Sequence, residues 1–406
     1  MKKFFNYAMM VMATLAITAF VACSSDDDDE VKSYKLKITL NPTDVEASNI
    51  SNIKIVVKGT TKADTLALSA VADQEITLTQ GTYNITVSGK VKDEATAYVQ
   101  GTATAELFAE KTVTVNLTKF NKSPLVFKTI YNVGTVLGYV LDCYVEIVNN
   151  SDEVQYLDGI MLADPLANQK AKNAWQEEYP DTYHEGGALN GIVIAFPGNG
   201  TDYPLQPGQS VTVADQAMNH QLAYGEDESK KEAYSKAPDL SNADFEKFYD
   251  NGDVDNTAVP NMVTVLRRSA SAQKMWAFGV AGRAYILIKL PQGMTPQQYV
   301  ADENNFTTYP GSTSSTLYLK IPSKYVLDAV DVYQSTVDPS EHYPFFAAKD
   351  DATGVRGGAM YSSQPVRRKV EKIENGRVYY QDTNNSTNDF DVSTDNTPGM
   401  TPTVIN

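Results

Sequence analysis

Two patterns of apolar and polar residues divide the chain. In residues 33–119 the two kinds of side chain alternate with a period of two, for example over 34–40 and 53–57, and this alternation predicts strands with one buried face. Punctuating residues such as Gly59 and Gly101 separate the runs. About seven short runs at this spacing predict a two-sheet β-sandwich, for which we expect a spacer or presentation role.

Residues 123–393 are predicted to form a second and larger sandwich, in which apolar strands are separated by long polar insertions. Strands are predicted at 285–290, 317–321 and 325–330. The insertions at 168–187 and 215–262 are longer than most loops of compact domains, and such loops often bind ligands. Residues 394–406 are rich in Thr, Asn, Asp and Pro and are predicted to form a flexible tail.

Two short helices are predicted within the second sandwich. One covers residues 239–248 and begins at a capping residue such as Ser241. The other covers residues 294–300, where Thr295 precedes a proline at the first turn. These helices are exceptions, because abundant Tyr and Thr with frequent turn-forming residues predict an all-β fold for the chain as a whole.

The first 22 residues differ from everything that follows. An apolar run over residues 4–22 is preceded by two lysines and ends in Ala22 before Cys23, which predicts a signal peptide rather than a membrane-spanning helix. Residues 20–23 resemble a bacterial lipobox, although Phe20 stands where that pattern prefers leucine. We therefore predict removal of residues 1–22 and attachment of lipid to Cys23; a plain signal peptide and an uncleaved anchor are the alternatives.

Residues 23–32 are predicted to be a lipidated acidic linker. Five consecutive carboxylates occupy positions 26–30, and their mutual repulsion favours an extended, solvated segment. The segment resembles the export signal of Bacteroidota-type lipoproteins displayed on the outer face of the outer membrane; a simple charged spacer is the alternative. The expected location is thus the outer membrane, with the lipid-anchored protein facing the extracellular side.

Composition limits the classes of partner. The chain of 406 residues has a net charge of −16 at pH 7, and residues 1–22 carry two lysines and no acid, so the mature chain has a net charge of −18. An acidic surface repels phosphates, which excludes nucleic acid as an expected ligand. With Cys23 lipidated, Cys143 has no intrachain partner, and its apolar surroundings predict a buried free thiol.

Several segments resemble known sandwich modules. Residues 78–87 are similar to the glycine–tyrosine hairpin of transthyretin-like or carboxypeptidase-regulatory-like modules. Strands of the second part follow the order of lamin-tail-like immunoglobulin sandwiches, with matching segments at 128–131, 144–152, 156–160, 205–213 and 381–390. These resemblances imply an immunoglobulin-like or transthyretin-like first sandwich and a lamin-tail-like second one.

Together with the lipobox and the acidic run, residues 30–400 resemble an uncharacterised family of Bacteroidota surface lipoproteins (domain of unknown function forty-eight seventy-six). The segments 146–159 and 381–390 carry most of this resemblance. It implies a non-catalytic extracellular β protein that works beside outer-membrane uptake systems. It supplies no catalytic residues that can be assigned to positions in this chain.

An aromatic group in the first insertion is the main candidate for ligand contact. Trp175, Tyr179, Tyr183 and His184 lie close together in a charged segment, where we expect Trp175 to be exposed and able to stack on a flat sugar face. Trp276 and Phe278 are further aromatic residues of this kind, although their alternation with an alanine is also typical of a strand core.

Metal binding has weaker support in the sequence. The histidines His184, His220 and His342 are too far apart for any local ligand spacing, even with Glu177, Glu178 or Asp215 added; three unrelated surface histidines are the favoured interpretation. Asp250, Asp253 and Asp255 form an oxygen-rich turn that suits calcium, but the turn lacks the ordered glycine and terminal glutamate of an EF-hand. We expect no cofactor beyond the lipid on Cys23.

Catalytic motifs are missing from the sequence: it has no Gly-x-Ser-x-Gly elbow, His-Glu-x-x-His helix or phosphate-binding glycine loop. Carboxylates such as Glu146 and Asp158 cannot be paired without geometry. The leading hypothesis is a non-enzymatic surface binding or scaffold lipoprotein, accessory to a TonB-dependent transporter or another envelope protein. The alternatives are a glycan-capturing or haem/iron-capturing protein and an atypical hydrolase.

Overall fold

Strands account for most of the regular structure of this protein, and its helices are short. The computed structural model describes residues 32–59, 63–94, 97–186, 192–249, 253–267 and 282–400. The all-β prediction is confirmed. The signal segment, Cys23, the acidic run, Asp250, Trp276 and Phe278 lie outside the described residues.

Seven strands form the first sandwich: β1 (Ser33–Pro42), β2 (Ile50–Lys58), β3 (Ala63–Leu68), β4 (Gln74–Thr79), β5 (Gly81–Val91), β6 (Ala97–Leu107) and β7 (Lys111–Asn121). They are hydrogen-bonded in the order β3-β2-β5-β6-β7-β1-β4. One end of β7 pairs with β6, and the rest pairs in parallel with β1, so the sheet folds into two layers along this strand. Apolar side chains of both layers, such as Leu36 and Ile55, form one buried core.

Gly101 allows β6 to separate from β7 where the sheet folds. The sequence pattern places this glycine in a turn, but it lies inside β6. A Cβ atom here would lie 2.1 Å from the carbonyl oxygen of Asn116 on β7, a distance that no side chain tolerates. The close approach follows directly after the last β6–β7 pair, Gln100 with Thr118.

The second sandwich contains the strands β8 (Leu125–Tyr131), β9 (Tyr144–Asn149), β10 (Gln155–Tyr156), β11 (Met161–Ala163), β12 (Thr182–His184), β13 (Ile192–Ala195), β14 (Pro204–Leu205), β15 (Ser210–Ala214), β16 (Phe245–Glu246), β17 (Val263–Arg267), β18 (Arg283–Ile288), β19 (Phe306–Thr308), β20 (Leu317–Pro322), β21 (Val326–Tyr333), β22 (Val355–Arg356), β23 (Val366–Arg368), β24 (Val370–Glu374), β25 (Arg377–Tyr380) and β26 (Phe390–Val392). Its short helices are α1 (Ala174–Glu178), α2 (Lys231–Tyr234), α3 (Pro296–Ala301), α4 (Ala348–Asp351) and α5 (Ser386–Asp389).

These strands form two main sheets. Strands β16-β15-β9-β8-β23-β26 form sheet II, and β17-β13-β11-β18-β21-β22 form sheet III. Smaller sheets are β12-β20-β19, β10-β14 and β24-β25.

The main core of the second sandwich lies between sheets II and III, where Phe127 and Tyr285 meet with ring centroids 6.0 Å apart. The first insertion, with residues 299–321 and 345–346, covers the outer face of sheet III, where Ile286 and Phe346 belong to a further core. The second insertion packs on the outer face of sheet II. Because both faces are covered, every residue of β18 is buried. The strands predicted around β18, β20 and β21 are confirmed.

One predicted helix of the second sandwich is present and the other is not. Helix α3 begins after Thr295, whose hydroxyl accepts a hydrogen bond from Gln298 N at 3.2 Å, as predicted from the cap. The helix predicted over 239–248 is wrong. Asp239 accepts the Ser241 N–H in a turn, and Asp244 accepts the Thr212 N–H of β15. Phe245–Glu246 pairs with β15 as the short strand β16.

The flexible tail predicted from residue 394 onwards is wrong for residues 394–399. The Arg367 guanidinium donates hydrogen bonds to the carbonyl oxygens of Asp395 and Thr397, and Gly399 N donates to Glu146 Oε1 at 2.6 Å. Buried charges on the outer face of sheet II therefore hold this segment in place, whatever its composition. Residues 401–406 lie outside the described part of the chain.

Candidate functional site

The aromatic group predicted for ligand contact is an interior cluster. Helix α1 is capped by Asn173, and the Trp175 indole N–H donates to the Thr182 carbonyl oxygen at 2.6 Å. The expectation that Trp175 is exposed is wrong, since only 2% of its surface is accessible. The charged residues that flank it, Glu177 and Glu178, face solvent while the ring packs inward.

The other predicted members of this group lie on two sides of β12. His184 meets Trp175 with ring centroids 4.8 Å apart, and Tyr179 meets the same indole at 5.0 Å. Tyr183 points the other way, as strand alternation requires, and packs on Phe346 while its hydroxyl donates to a carboxylate. Trp175, Tyr179 and His184 come together, and Tyr183 does not join them.

Burial determines the charge state of His184. Desolvation lowers the pKa of its imidazole to about 4, because a charged ring loses hydration among aromatic neighbours. Tyr309 and Tyr318 complete this surround, with centroids 6.0 and 5.3 Å from the imidazole. The cluster therefore holds a neutral histidine and acts as the aromatic core of the insertion.

The histidines are not brought together into a metal site. His220 Nε2 lies 2.9 Å from the Gln216 carbonyl, so Nε2 donates and Nδ1 accepts from Tyr139. His342 Nε2 lies 2.8 Å from Asp331 Oδ2. Across the described residues, no group of three His, Cys, Asp or Glu side chains is arranged to hold a metal ion.

The carboxylates of the acidic turn proposed as a calcium site accept hydrogen bonds from within the protein. Asp253 Oδ1 accepts from the distant Gln216 Nε2 at 2.7 Å, and Asp255 Oδ1 accepts from Asn261 Nδ2 at 3.1 Å. The other oxygen of Asp253 accepts from Tyr249 N at 3.1 Å and closes the turn. Asp250, the third residue of the predicted group, lies outside the described residues.

The two carboxylates considered for catalysis, Glu146 on β9 and Asp158 in the turn between β10 and β11, have structural partners. Glu146 is fully buried beside Lys128 and Arg367, at 3.4 and 3.5 Å. Burial alone would raise the pKa of Asp158, but backbone N–H donors, Gly200 and Asp202 among them, hold this pKa below its usual range. Cys143 is a buried free thiol, as predicted.

A wide cleft opens between the two sandwiches. It has a volume of about 780 Å³ and lies between the outer face of β2, β5 and β6 and a second wall formed mainly by residues 381–388. We call it the lysine-lined cleft, after Lys54, Lys58, Lys90, Lys122 and Lys369. Its second wall belongs to the segment that resembles the closing strand of lamin-tail-like sandwiches.

Strand alternation builds the first wall. On β2, Ile53 and Ile55 point into the core, so Lys54 and Lys58 point outward into the cleft. The same alternation places Lys90 on the outer face of β5. The apolar period that stabilises the sandwich therefore also orients the polar lining.

Strand register places the lining residues in rows across this face. Lys54 lies opposite Ser88, which lies opposite Gln100; Lys58 lies opposite Asn84, which lies opposite Thr104. Cross-strand neighbours of this kind are about 5 Å apart. Each row thus combines an ammonium group with hydroxyl or amide groups within reach of one ligand.

A third row adds an aromatic ring. Lys90 lies opposite Tyr98, which lies opposite Phe120. The Tyr98 ring is half-buried; Lys122 Nζ lies 4.7 Å from its centroid and Lys90 Nζ lies 5.8 Å away. Tyr98 therefore supplies a flat apolar surface at the end of the cleft where the two walls meet.

The charges in the cleft are unlike those of the chain as a whole. Its charged lining comprises the five lysines with Glu371 and Asp382. Lys122 forms an ion pair with Glu371 at 2.7 Å, and Lys369 forms one at 3.3 Å with Asp391, which does not line the cleft. Within the described part of the chain, the exposed Lys54, Lys58 and Lys90 form no ion pair.

A buried arginine holds the second wall. The Arg368 guanidinium lies 2.6 Å from Asp328, 3.5 Å from Asp382 and 3.6 Å from Asp389. Burial raises the pKa of Asp328 to about 7 and that of Asp389 to about 6, although the arginine opposes both shifts. Asp389 in turn accepts hydrogen bonds from Thr383, which fixes the loop that lines the cleft.

The two walls are in contact at one end of the cleft. Gln100 Nε2 on β6 donates to the Asn384 carbonyl oxygen at 3.3 Å. The nearby Lys122–Glu371 ion pair also joins the sandwiches. The cleft is thus a concave surface whose two walls are joined by direct contacts, and ligand sites are usually concave and largely preformed.

A second groove lacks this positive lining. It has a volume of about 530 Å³ and lies between residues 235–244 and 396–399 of the second sandwich. Its charged lining residues are Lys236, Asp239 and Asp244. Its lining is therefore acidic on balance, like most of the molecule.

Sequence reasoning did not identify the cleft. The period-two pattern predicts that Lys54, Lys58 and Lys90 face away from the core of the first sandwich, and this signal was available. The sequence gives no sign that the face opposes residues 381–388. Without that contact, exposed lysines on a strand are indistinguishable from an ordinary solvated face.

Comparison with known proteins identifies a family and a solved structure to which the chain is similar. Residues 206–397 match the family described as Protein of unknown function (DUF4876). The chain is also similar to the crystal structure of a DUF4876 family protein from Bacteroides thetaiotaomicron, with 29% identity, a TM-score of 0.56, and coverage of 88% of this chain and 94% of that one. No curated protein matches, and no helix among the described residues is long and apolar enough to cross a membrane. Residues 206–397 therefore match the DUF4876 family of proteins of unknown function, and most of the chain is similar to a solved structure of that family.

Proposed function

We propose that this protein is a lipid-anchored binding protein on the outer face of a bacterial outer membrane, and that it captures its ligand in the lysine-lined cleft. The lipobox-like residues before Cys23 and the acidic run after it support the location. The cleft carries the binding part of the proposal, because it has two fixed walls and a concentration of polar groups free to meet a ligand.

The lining favours binding over catalysis. The carboxylates of the cleft are engaged: Glu371 pairs with Lys122, and buried Asp382 accepts from Ser123 N at 3.0 Å. The free groups are ammonium, amide and hydroxyl groups, which recognise a polar ligand without acting as a general acid–base pair near neutral pH. A polar, partly aromatic lining of this kind suits a carbohydrate.

A capturing lipoprotein needs a partner that accepts its ligand. We propose an outer-membrane transporter of the TonB-dependent class, to which the anchored protein presents bound material. Co-purification from detergent extracts tests this: an outer-membrane barrel recovered with the wild-type protein supports it, and recovery of the protein alone contradicts it.

The location is tested by a Cys23→Ala variant. We expect loss of incorporated radiolabelled palmitate and loss of the protein from the outer-membrane fraction, because the lipid is the proposed anchor. A Ser24→Ala variant is the matched control and should remain labelled. Retention of label in Cys23→Ala would contradict the lipidation. Replacing Asp26–Asp29 with asparagine should keep the anchor and remove protease accessibility on intact cells.

The binding site is tested by a Tyr98→Ala variant. Stacking on an aromatic ring contributes about 0.5 to 1.5 kcal/mol beyond area burial, so we expect roughly twofold to tenfold weaker binding in affinity electrophoresis through polysaccharide gels. Tyr156, exposed on the second sandwich, gives the matched control Tyr156→Ala. Equal retardation of both variants would contradict binding in the cleft. Release of reducing ends from any polysaccharide would instead favour the hydrolase alternative.

A further inference from the structure

We infer that the ligand class of the lysine-lined cleft is an acidic polysaccharide, held through Lys54, Lys58 and Lys90. The inference rests on the proposed binding function and names the chemistry of its ligand. It begins from the contrast in charge between this cleft and the chain that surrounds it.

Three free lysines on one wall are unusual in so acidic a protein. The whole chain has a net charge of −16, and the groove of the second sandwich is acidic on balance. Elsewhere, exposed lysines such as Lys35 and Lys170 lie within 2.8 Å of a carboxylate. The lining of the cleft is thus positive on balance and attracts an anion, within a chain whose net charge is negative.

The spacing of the lysines indicates an extended ligand. Lys54 and Lys58 lie on one strand four residues apart, which corresponds to roughly 13 Å along β2. Lys90 lies two residues beyond Ser88, the cross-strand partner of Lys54. One small anion cannot contact both ends of this array, whereas a polymer with acidic groups at intervals can.

The groups between the lysines suit sugar hydroxyls. Asn84, Thr86 and Ser88 on β5 face the cleft, as do Gln100 and Thr102 on β6. Amides and hydroxyls both donate and accept hydrogen bonds, as sugar hydroxyls do. The Tyr98 ring adds a flat apolar contact for one face of a sugar. Such a lining recognises the polymer backbone as well as its charge.

The same array fits nucleic acid less well. A nucleic acid places a phosphate on every nucleotide, and binding it depends on many cations that release condensed counterions. Three lysines within a chain of net charge −16 do not supply that number. An acidic polysaccharide such as hyaluronate carries a carboxylate only on every second sugar, which the observed lysine spacing can match.

The test uses the full-length protein extracted in detergent. Binding is measured by affinity electrophoresis with polygalacturonate, hyaluronate and chondroitin sulfate, and with the carboxyl-reduced form of each. We expect at least one of these acidic polymers to bind, with at least tenfold weaker binding of its reduced form. Raising the salt concentration from 0.05 to about 0.5 M should also weaken binding, because the attraction is screened.

A triple variant, Lys54→Gln, Lys58→Gln and Lys90→Gln, assigns the interaction to the cleft. We expect at least tenfold loss of affinity for the acidic polymer. The matched control replaces Lys35, Lys170 and Lys230 with glutamine, which changes net charge equally but removes lysines paired with carboxylates elsewhere. Circular dichroism melting checks that both variants fold.

Two outcomes would overturn the inference separately from the proposed function. If a reduced polymer binds as tightly as its acidic form and Tyr98→Ala still weakens it, the cleft binds glycans but not acidic ones. Tighter binding of single-stranded DNA than of any acidic polymer would also overturn the ligand class. Absence of binding to every polymer would overturn both proposals.

Discussion

The aromatic cluster around Trp175 and the lysine-lined cleft differ in almost every property that defines a binding site. The cluster contains residue types that are common in binding sites, a tryptophan and a histidine in a polar insertion, but it is buried in the interior of the second sandwich. The cleft is lined by ordinary strand residues such as Lys54 and Ser88, and it is open. Residue type alone predicted that the aromatic cluster is exposed, whereas the open surface is the cleft.

The difference has a physical cause. Large aromatic rings in an insertion bury one another because each gains more from ring contact than from water, and the insertion needs such a core of its own. Lysines cannot be buried without a partner, so they remain available when a second wall approaches. Whether a residue is available to a ligand therefore depends on its neighbours in space.

The largest expected effect concerns the wall of the cleft. An Arg368→Met variant should lose about 3 to 5 kcal/mol of unfolding free energy, because it leaves buried Asp328, Asp382 and Asp389 without their cation. Urea unfolding measures the loss. Arg356→Met, at an exposed arginine, is the control and should change stability little. A loss below about 1 kcal/mol in Arg368→Met would show that the wall does not depend on this arginine.

The next effect separates the cluster from the cleft. A Trp175→Ala variant should lose about 3 kcal/mol of unfolding free energy, since it removes a buried ring and its hydrogen bond to Thr182. Its affinity for polysaccharide should stay that of the wild type, because the ring does not line the cleft. A stable variant with weakened binding would restore the original ligand-contact hypothesis for Trp175.

A smaller effect depends on pH. The pKa of His184 is about 4 when folded and about 6.5 when unfolded, so between these values the unfolded state binds more protons and stability falls as pH falls. Urea unfolding at pH 7 and pH 4.5 should show a loss that is on the order of 2 kcal/mol smaller in His184→Phe. Protonation of Asp328 and Asp389 in this pH range changes the unfolding free energy in the opposite direction. Both proteins contain these two carboxylates, so their contribution cancels when the two losses are compared. Equal losses in both proteins would contradict a desolvated His184.

The smallest expected effect concerns the lysines themselves. Because Lys54, Lys58 and Lys90 are exposed and form no ion pair among the described residues, the triple glutamine variant should keep its unfolding free energy within about 0.5 kcal/mol. Thermal or urea unfolding measures this alongside the binding loss. A stability change above about 2 kcal/mol would mean that these lysines stabilise the fold, as Trp175 is expected to do, and are not simply available to a ligand.

Local rules accounted for much of the fold. The period of two located the strands of the first sandwich, and the Thr295 cap located α3. The residues over 239–248 include those of a helix start, but Asp244 binds Thr212 N of β15 and Phe245–Glu246 pairs with the same strand. Residues 394–399 looked like a free tail, yet Arg367 and Glu146 bind their backbone. In each failure, a contact with a distant residue outweighed local preference.

The sequence by itself determined the all-β class and the outward direction of Lys54, Lys58 and Lys90, and the proposed location rests on the residues around Cys23. Each of these depends on neighbours within a few positions of the chain. Only the tertiary structure decided that this outward face forms one wall of a cleft, because Gln100 meets Asn384 across a separation of 284 residues. Alternation specifies which side of a strand is polar, and long-range packing specifies what that side faces.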